Sequence, residues 1–396
     1  MHIHPQAYSE INSHEIIVDG ESICFFSKPG LPGWDSLIPS TFLLAEHVGV
    51  NNNDRILILG SGLGTLAVYL ARKLSGGLID LTDTNWISLN MVKKTLRGNH
   101  IRNTNVNHDI NVDPSRFGIY DTVIISLPKG RKLAQRWIID AKNALHSGGN
   151  LYIAGANKLG IKSVIQDAET LLGNSKVLGY KKGHRVARFK KNNMVSNAPS
   201  WLLQPGIAPG TWYKLTIDCW GEAYEIFSLP GIFSYDRIDE GTRILLDTLD
   251  IKLDSRVLDF GCGNGIIGIA VSKLGTNQVT MVENNLMAIA AARKNLEALK
   301  IHNASVIPSD VLEAVSDQEF DIIVSNPPFH TGKEVDYQVT NAFIKQSWSA
   351  LRPGGKLIIV ANRFIRYQQI IEKMFNHCEY LEITNHYHVM QAIKLT

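Results

Sequence analysis

The sequence contains one strand, turn and helix motif twice, about two hundred residues apart. Residues 55–67 read RILILGSGLGTLA and residues 256–268 read RVLDFGCGNGIIG, each an apolar run followed by a glycine-rich turn. Three later segments recur in the same order: residues 81–85 with 281–285, 121–129 with 321–329, and 147–154 with 353–360. Four matching segments at a nearly constant offset predict a tandem duplication of one α/β domain.

Each copy alternates strand segments with helical segments, which predicts a mostly parallel, doubly wound sheet. In the second copy the predicted strands lie near residues 256–260, 278–283, 304–308, 321–325 and 356–361. Two further strand segments, at 380–384 and 389–394, have no helix between them, so they predict an antiparallel hairpin at the carboxyl end. The predicted fold class is α/β, with two tandem Rossmann-like domains.

The predicted domain organisation has three parts. Residues 1–191 form the first copy, residues 192–240 form a linker with a β-hairpin, and residues 241–396 form the second copy. The linker is predicted from Pro199, Pro205 and Pro209, which lie between the periodic segments.

Charge is distributed unevenly in the region where the first copy ends. No Asp or Glu occurs from Thr170 to Ile217. The same stretch contains Lys176, Lys181, Lys182, Arg185, Arg188, Lys190, Lys191 and Lys214. A basic block without acidic residues favours a polyanionic partner, and a solvated linker with incidental charge is the alternative.

Composition argues against membrane and metal partners. No apolar stretch approaches the roughly 20 residues that a membrane span needs, and no signal peptide is evident. The four cysteines are scattered without metal-ligand spacing: Cys24, Cys219, Cys262 and Cys378. These features predict a reduced, cytoplasmic protein without a metal.

One polar segment follows an apolar strand in the second copy: Ser325-Asn326-Pro327-Pro328-Phe329-His330. In open α/β sheets, ligands bind outside the carboxyl ends of the strands. Asn326 adds a side-chain carbonyl, the prolines leave their backbone carbonyls free, and Phe329 offers a flat face. The segment predicts a clamp that holds an exocyclic amine between two acceptors and stacks its ring; a proline-stiffened turn is the alternative. The catalytic candidates are Asn326, Pro327, Pro328 and Phe329.

The glycine turn of the second copy predicts a nucleotide site. Residues 263–268 also fit the dinucleotide fingerprint G-x-G-x-x-G. However, the turn begins directly after Phe260, and Asp259 lies in the strand end, where a carboxylate suits a ligand's cation or amine better than a pyrophosphate. This favours S-adenosylmethionine over NAD. The cofactor-binding candidates are Asp259, Gly261, Gly263, Gly265, Glu283, Asp310 and Asn326, with Asp310 as a helix N-cap in the alternative interpretation.

The chain resembles the class I S-adenosylmethionine-dependent methyltransferases, and within them the ribosomal RNA guanine-N2 methyltransferases of the "C" small-subunit type and the related "G" large-subunit type. The resemblance rests on the duplication and on residues 230–234, Asp259 with its glycine turn, 326–330 and 360–363. It implies methylation of the N2 amine of a guanine flipped out of ribosomal RNA, with 16S rRNA favoured over 23S rRNA. Asn326 and Pro327 would hold the amine and Phe329 would stack on the base. The implied partner is ribosomal RNA or a ribosomal subunit, and a monomer is expected.

The first copy departs from this pattern. Ile58 takes the place of Asp259, and Leu127-Pro128-Lys129 takes the place of Asn326-Pro327-Pro328. The first copy is therefore predicted to be degenerate and to dock RNA through phosphates. The RNA-binding candidates are Lys181, Lys182, Arg185, Arg188, Lys190, Lys191 and His330, with Lys129, Arg131, Lys132 and Arg136 as further cations.

Three other functions remain open on the sequence. A protein-glutamine N5 methyltransferase would use the same clamp without a basic block. A non-catalytic RNA-binding assembly factor would keep the fold alone, which the intact clamp segment argues against. An NAD-dependent oxidoreductase is disfavoured because no His, Lys or Tyr is evidently placed for hydride chemistry.

Overall fold

The structure, a computed structural model, describes residues 8–192, 198–275, 278–327 and 334–395. Contacts divide the chain into two compact units, Glu10–Trp212 and Tyr213–Thr396, and the second unit also includes the amino-terminal segment Met1–Ser9. The segment predicted as a linker with a hairpin, residues 192–240, is therefore split between the two units.

The first unit contains a two-stranded hairpin and a seven-stranded sheet. Its strands are β1 (Asn12–Val18), β2 (Glu21–Ser27), β3 (Arg55–Leu59), β4 (Leu78–Thr82), β5 (Thr104–Val106), β6 (Tyr120–Ser126), β7 (Leu145–Ala156), β8 (Lys176–Lys181) and β9 (His184–Lys190). Its α-helices are α1 (Pro39–His47), α2 (Thr65–Arg72), α3 (Trp86–Gly98), α4 (Arg131–Ala144) and α5 (Ile161–Leu172). The sheet order is β5-β4-β3-β6-β7-β9-β8, and β9 runs antiparallel to both of its neighbours.

The second unit repeats this plan. Its strands are β10 (Tyr213–Cys219), β11 (Glu222–Ser228), β12 (Arg256–Phe260), β13 (Gln278–Glu283), β14 (Ala304–Pro308), β15 (Phe320–Ser325), β16 (Leu351–Asn362), β17 (Glu379–Ile383) and β18 (Tyr387–Ile393). Its α-helices are α6 (Glu240–Thr248), α7 (Ile266–Lys273), α8 (Leu286–Ala298), α9 (Glu334–Ala350) and α10 (Tyr367–Phe375). The order β14-β13-β12-β15-β16-β18-β17, with β18 antiparallel to β16 and β17, confirms the predicted fold class.

The duplication extends further than the four sequence landmarks indicate. The hairpin β1–β2 occupies the same place before the first sheet that β10–β11 occupies before the second. The sequence carries the signal, because residues 26–30 read FSKPG and residues 227–231 read FSLPG. The second hairpin is thus the first element of the repeated unit, and it packs against α8 of that unit.

Glycine makes the turn after the first strand possible in each sheet. Gly64 and Gly265 precede α2 and α7 with φ of 83° and 89°, a region that strains residues with a Cβ atom. A Cβ atom on Gly265 would also lie 3.1 Å from the Cβ atom of Ala292, so helix α8 packs directly on the turn. Both turns therefore have the same backbone path.

Helix α1 begins at Pro39, and its N-cap residue, Ile38, makes no side-chain hydrogen bond. Pro at the first helical position has a favourable φ and no unsatisfied N–H. The alternative interpretation of the basic block as a solvated linker does not hold for residues 176–190, because these residues form the two outer strands β8 and β9 of the first sheet.

Candidate active site

The strand register of the second sheet brings the predicted site residues to one edge. Phe260, at the end of β12, pairs with Val282 of β13 and with Ser325 of β15. Glu283 pairs with Pro308 at the end of β14. The carboxyl ends of these four parallel strands therefore lie side by side. This edge carries the glycine turn 261–265, Glu283, Asp310 and Asn326.

Glu283 holds the glycine turn through its carboxylate. The backbone N–H of Gly263 donates to Oε2 at 3.0 Å, and Oε1 accepts from the N–H groups of Asn284 and Asn285 at 2.8 and 3.0 Å. Burial raises the pKa of Glu283, while these backbone hydrogen bonds lower it. A carboxylate offers about four lone-pair sites, so acceptor capacity remains at Oε2 for a ligand hydroxyl.

Asp259 is fully buried and has one carboxylate oxygen without a partner. Oδ2 accepts a hydrogen bond from the N–H of Gly268 at 2.9 Å, whereas Oδ1 has no hydrogen-bond partner among the described residues. Burial, and to a lesser extent the charge of Glu283, raises the pKa of Asp259 to about 7. A buried carboxylate in this state is stabilised by a ligand that brings a positive charge or an N–H donor.

Asp310 is paired with a residue from the amino terminus of the chain. The hydroxyl of Tyr8 donates to Oδ1 of Asp310 at 2.6 Å, and both residues are buried. Burial and the nearby Asp310 charge raise the pKa of the Tyr8 hydroxyl. Next to Asp310, the hydroxyl of Ser309 accepts from the N–H of Ala314. The amino-terminal segment thus contributes to the edge where the cofactor candidates lie.

The side-chain amide of Asn326 has a defined orientation. Its Nδ2 donates to Oδ2 of Asp239 at 2.9 Å and to Oγ1 of Thr242 at 2.8 Å. Since a carboxylate only accepts hydrogen bonds, the NH₂ group must face Asp239. The carbonyl oxygen Oδ1 of Asn326 is buried without a partner among the described residues. Asn326 therefore presents an oriented carbonyl oxygen at the position where the sequence predicts an amine acceptor.

The rest of the clamp segment is described only in part. Pro327 is buried directly after Asn326. Pro328, Phe329 and His330 lie outside the described residues, so their predicted contributions to the clamp, to stacking and to RNA binding stay predictions.

Several residues of this site were missed from the sequence. Asp239 caps α6, and its Oδ2 accepts from the N–H of Thr242 at 3.2 Å. The sequence carried a signal for this cap, because Asp is a favoured N-cap residue directly before a helical segment. Asn295 is fully buried and bonds to both backbone groups of Phe227 and to the carbonyl of Asn264, joining β11 to the glycine turn. Tyr8 carries no local signal.

The first unit preserves the turn but not the clamp. Asp83 holds the N–H groups of Gly62 and Asn85, each at 3.0 Å, as Glu283 does in the second unit. Ile58, fully buried, pairs with Ile124 where Asp259 pairs with Val324. By the same register Ser126, and not Leu127, stands where Asn326 does, so the sequence alignment was wrong by one residue there. The serine side chain, unlike that of Asn326, has no carbonyl oxygen that could accept a hydrogen bond from an amine.

The basic candidates differ in how exposed they are. Lys181 and Lys182 are exposed at the turn between β8 and β9, and Arg188 and Lys190 are exposed on β9. Arg185 donates to Oδ1 of Asn157 at 3.0 Å and lies over the ring of Tyr180. Lys191 donates to the carbonyl of Leu145, and partial burial lowers its pKa. Arg185 and Lys191 therefore already have protein partners.

Arg131 and Arg136 were predicted as cations for RNA, and each has partners within the first unit; Arg131 stays largely exposed, so its RNA role stays a prediction. Arg136 is 3 % exposed and donates to the carbonyl of Gly206 at 2.6 Å and to Asn111, so it is a structural residue. Arg131 makes two hydrogen bonds of 2.7 Å to the buried carboxylate of Asp167. Both arginines bind elements within the first unit.

Among residues 8–192, 198–275, 278–327 and 334–395, no helix is long and apolar enough to cross a membrane. The same described residues contain no cluster of three or more His, Cys, Asp or Glu side chains that could hold a metal ion.

The sheet order, the glycine turn after the first strand, the acid after the second strand and Asn326-Pro327 after the fourth define a class I S-adenosylmethionine-dependent methyltransferase. The model of the methyltransferase small domain matches twice, over residues 22–188 and 223–391. The chain belongs to this family, and within it to the group of the ribosomal RNA small subunit methyltransferases C. The site residues fit the cofactor, since Asp259 lacks a partner for one buried oxygen and a Cβ atom on Gly263 would meet only open space.

Relatives and a solved structure agree with this assignment. The ribosomal RNA small subunit methyltransferase C of Psychromonas ingrahamii is 33% identical over 70% of this chain and 77% of its own length. The protein of the same name from Pseudomonas entomophila is 34% identical over 66% of this chain and 75% of its own length. The Thermus thermophilus 16S rRNA N2 G1207 methyltransferase, solved with AdoMet and guanosine, matches with a TM-score of 0.80 and 28% identity, over 98% of this chain and 99% of that one.

Proposed function

We propose that this protein methylates the exocyclic N2 amine of a guanine in small-subunit (16S) ribosomal RNA. The observation that carries the proposal is the oriented amide of Asn326, whose buried Oδ1 lacks a partner among the described residues at the edge that also carries the cofactor candidates. The names of the relatives and of the Thermus thermophilus structure support the RNA and the guanine.

The chemistry requires positioning more than a strong base. The lone pair of an amine on an aromatic ring is delocalised into the ring, which makes the amine a weak nucleophile. Asn326 Oδ1 accepts one N–H of this amine, and the carbonyl of Pro327 accepts the other. With both N–H bonds held, the nitrogen lone pair faces the electrophile instead of being averaged over orientations, which is catalysis by orientation and fixed dipoles. When bound, S-adenosylmethionine would supply the electrophilic methyl group and leave as the neutral thioether. The amine gains one N–C bond and loses one N–H proton to solvent.

The cofactor-binding candidates contact different parts of the cofactor. Asp259 offers its buried oxygen to a cationic or N–H donor group of the cofactor, and Glu283 keeps the glycine turn in shape and accepts from hydroxyl groups. Asp310, oriented by Tyr8, accepts from the adenine amine. Phe329 stacks on the guanine, and His330 contacts the RNA.

The first unit supplies RNA affinity. It lacks the amide clamp, and its outer strands present Lys181, Lys182, Arg188 and Lys190 to solvent. Phosphate contacts of this kind position RNA without reading its sequence. The protein acts in the cytoplasm as a monomer, with the unit Glu10–Trp212 as the docking part and the unit Tyr213–Thr396, with its amino-terminal segment, as the catalytic part.

The test is transfer of labelled methyl from S-adenosylmethionine to isolated small subunits, large subunits and naked ribosomal RNA from a strain that lacks this gene. We expect label in small-subunit RNA that digests to N2-methylguanosine, and none with the Asn326→Ala protein. Label only in large-subunit RNA would contradict the choice of subunit. Label on a protein glutamine, or on no substrate, would contradict the proposed function.

A further inference from the structure

The orientation of the Asn326 amide is set by two side chains from the start of α6. Both of its N–H bonds are directed at groups from the start of α6, Oδ2 of Asp239 at 2.9 Å and Oγ1 of Thr242 at 2.8 Å. These residues are 87 and 84 positions away in the chain. Without them, the amide could rotate and present its NH₂ group to the substrate, where a donor would repel the amine N–H.

The structure around Asp239 keeps this carboxylate in place. As the N-cap residue of α6, Asp239 also accepts from the N–H of Thr242 at 3.2 Å through the same Oδ2. A Cβ atom on Gly241 would lie 2.9 Å from Oδ2 of Asp239 and 2.9 Å from the ring of Tyr387, so glycine leaves room for both groups. One oxygen atom thus joins the beginning of a helix to the catalytic amide.

We propose that Asp239 and Thr242 are positioning residues for methyl transfer, which fix the Asn326 amide with its carbonyl oxygen toward the substrate amine. This inference rests on the proposed function. The start of α6 then decides which end of the Asn326 amide, the carbonyl oxygen or the NH₂ group, faces the substrate. Catalysis would depend on two side chains that need not touch substrate or cofactor. The cost of burying Oδ1 without a partner is relieved when an amine N–H reaches it.

Two pairs of variants separate orientation of the amide from capping of the helix. Asp239→Ser keeps an equally good N-cap, but its hydroxyl ends one atom short of the carboxylate oxygen that Asn326 contacts. Asp239→Asn keeps a carbonyl oxygen at that position and removes only the charge. Thr242→Val removes the hydroxyl and Thr242→Ser retains it, and both leave the Asp239 cap intact.

The measurements are kcat and KM on small subunits, the Kd of S-adenosylmethionine and the melting temperature. We expect Asp239→Ser to lower kcat on the order of tenfold to hundredfold, as misplaced catalytic groups do, with cofactor Kd and melting temperature unchanged. Asp239→Asn and Thr242→Ser keep kcat close to that of the wild type, and Thr242→Val lowers it.

The inference is wrong if Asp239→Ser has wild-type kcat, or if Asp239→Ser and Asp239→Asn lose the same activity. Should Asp239→Ser fail to fold, equal kcat values for Thr242→Val and Thr242→Ser would contradict it instead. A wild-type protein that forms no N2-methylguanosine would defeat the proposed function; a wild type that forms it beside an unaffected Asp239→Ser would defeat this inference alone.

Discussion

The Oδ2 atom of Asp259 accepts a hydrogen bond of 2.9 Å from the N–H of Gly268, nine residues further along the chain. This bond ties the end of β12 to the first turn of α7 and leaves Oδ1 buried without a partner among the described residues. Oδ2 therefore stabilises the fold, and Oδ1 is left for the proposed contact with the cofactor.

The pH dependence of cofactor binding should report on Asp259. Burial raises its pKa to about 7, so ionisation in the free protein is costly below that pH. A positively charged cofactor favours the ionised form, so affinity should rise as the pH increases through about 7. Calorimetry over this range should show proton release on binding by the wild type. Asp259→Asn should bind more weakly and lose this component; an unchanged pH profile would contradict the assignment.

The same shift makes a prediction for the stability of the cofactor-free protein. The folded-state pKa of Asp259 is about 7, above its ordinary value of 3.8. Its contribution to the free energy of unfolding is therefore complete below pH 3.8 and is lost as the pH rises from there through about 7. Chemical denaturation of the wild type and of Asp259→Asn at several pH values measures the difference. Asp259→Asn should flatten the slope in this range, and parallel slopes would argue that the carboxylate titrates elsewhere.

Replacing Asn326 with Ala should remove turnover while leaving cofactor affinity close to wild type. A lost catalytic hydrogen bond to a reacting group typically lowers kcat by about 10²- to 10³-fold. The duplication offers a matched control, since Ser126 occupies the corresponding register position in the first sheet. Ser126→Ala should leave kcat unchanged, and an active Asn326→Ala protein would exclude the clamp.

The acids after the second strands, Glu283 and Asp83, make the same backbone contacts in two different units. Glu283→Ala should raise the Kd of S-adenosylmethionine because the turn loses its support, with a cost of about 1–3 kcal/mol for the unsatisfied N–H groups. Asp83→Ala should lower the melting temperature while leaving cofactor Kd unchanged. If both variants weaken cofactor binding equally, the first unit also binds cofactor.

The sheet and the glycine turns were predictable because their signals are local. The strands 256–260, 278–283 and 304–308 have the predicted bounds, since each is a short β-rich run bounded by polar or turn residues. Asn326 was predicted as an acceptor from its place after a strand.

The partners of these residues were not predictable, because they come from distant parts of the chain. Tyr8 is 302 residues from Asp310, and Asp239 is 87 residues from Asn326. Arg136 was misjudged as a surface cation, although Asp140 one helical turn later was a signal for a partner. The second hairpin was assigned to a linker because its match to residues 12–27 was not recognised.

The two outer strands of the first sheet should carry salt-dependent RNA affinity. Reversing the charge of Lys181 and Lys182 to Glu should weaken binding, and each lost phosphate contact should flatten the slope of log affinity against log salt by about one. Lys252 and Lys300, exposed in the second unit, are the matched control for total charge. Filter binding to small-subunit RNA over a salt series measures the slopes. Equal effects of both pairs would indicate net charge alone.

Arg136 should affect stability rather than RNA binding. Its guanidinium is buried against Gly206 and Asn111 and lowers the otherwise raised pKa of Asp140. Arg136→Met leaves these two acceptors without their donor, and each buried polar group left unsatisfied costs about 1–3 kcal/mol. The melting transition of the first unit should therefore fall, while the salt slope of RNA binding in the remaining folded protein stays the same. The control is Lys129→Met, an exposed site directly before the N-cap residue of the same helix, which should leave stability unchanged. A flattened salt slope for Arg136→Met would show that Arg136 contacts RNA after all.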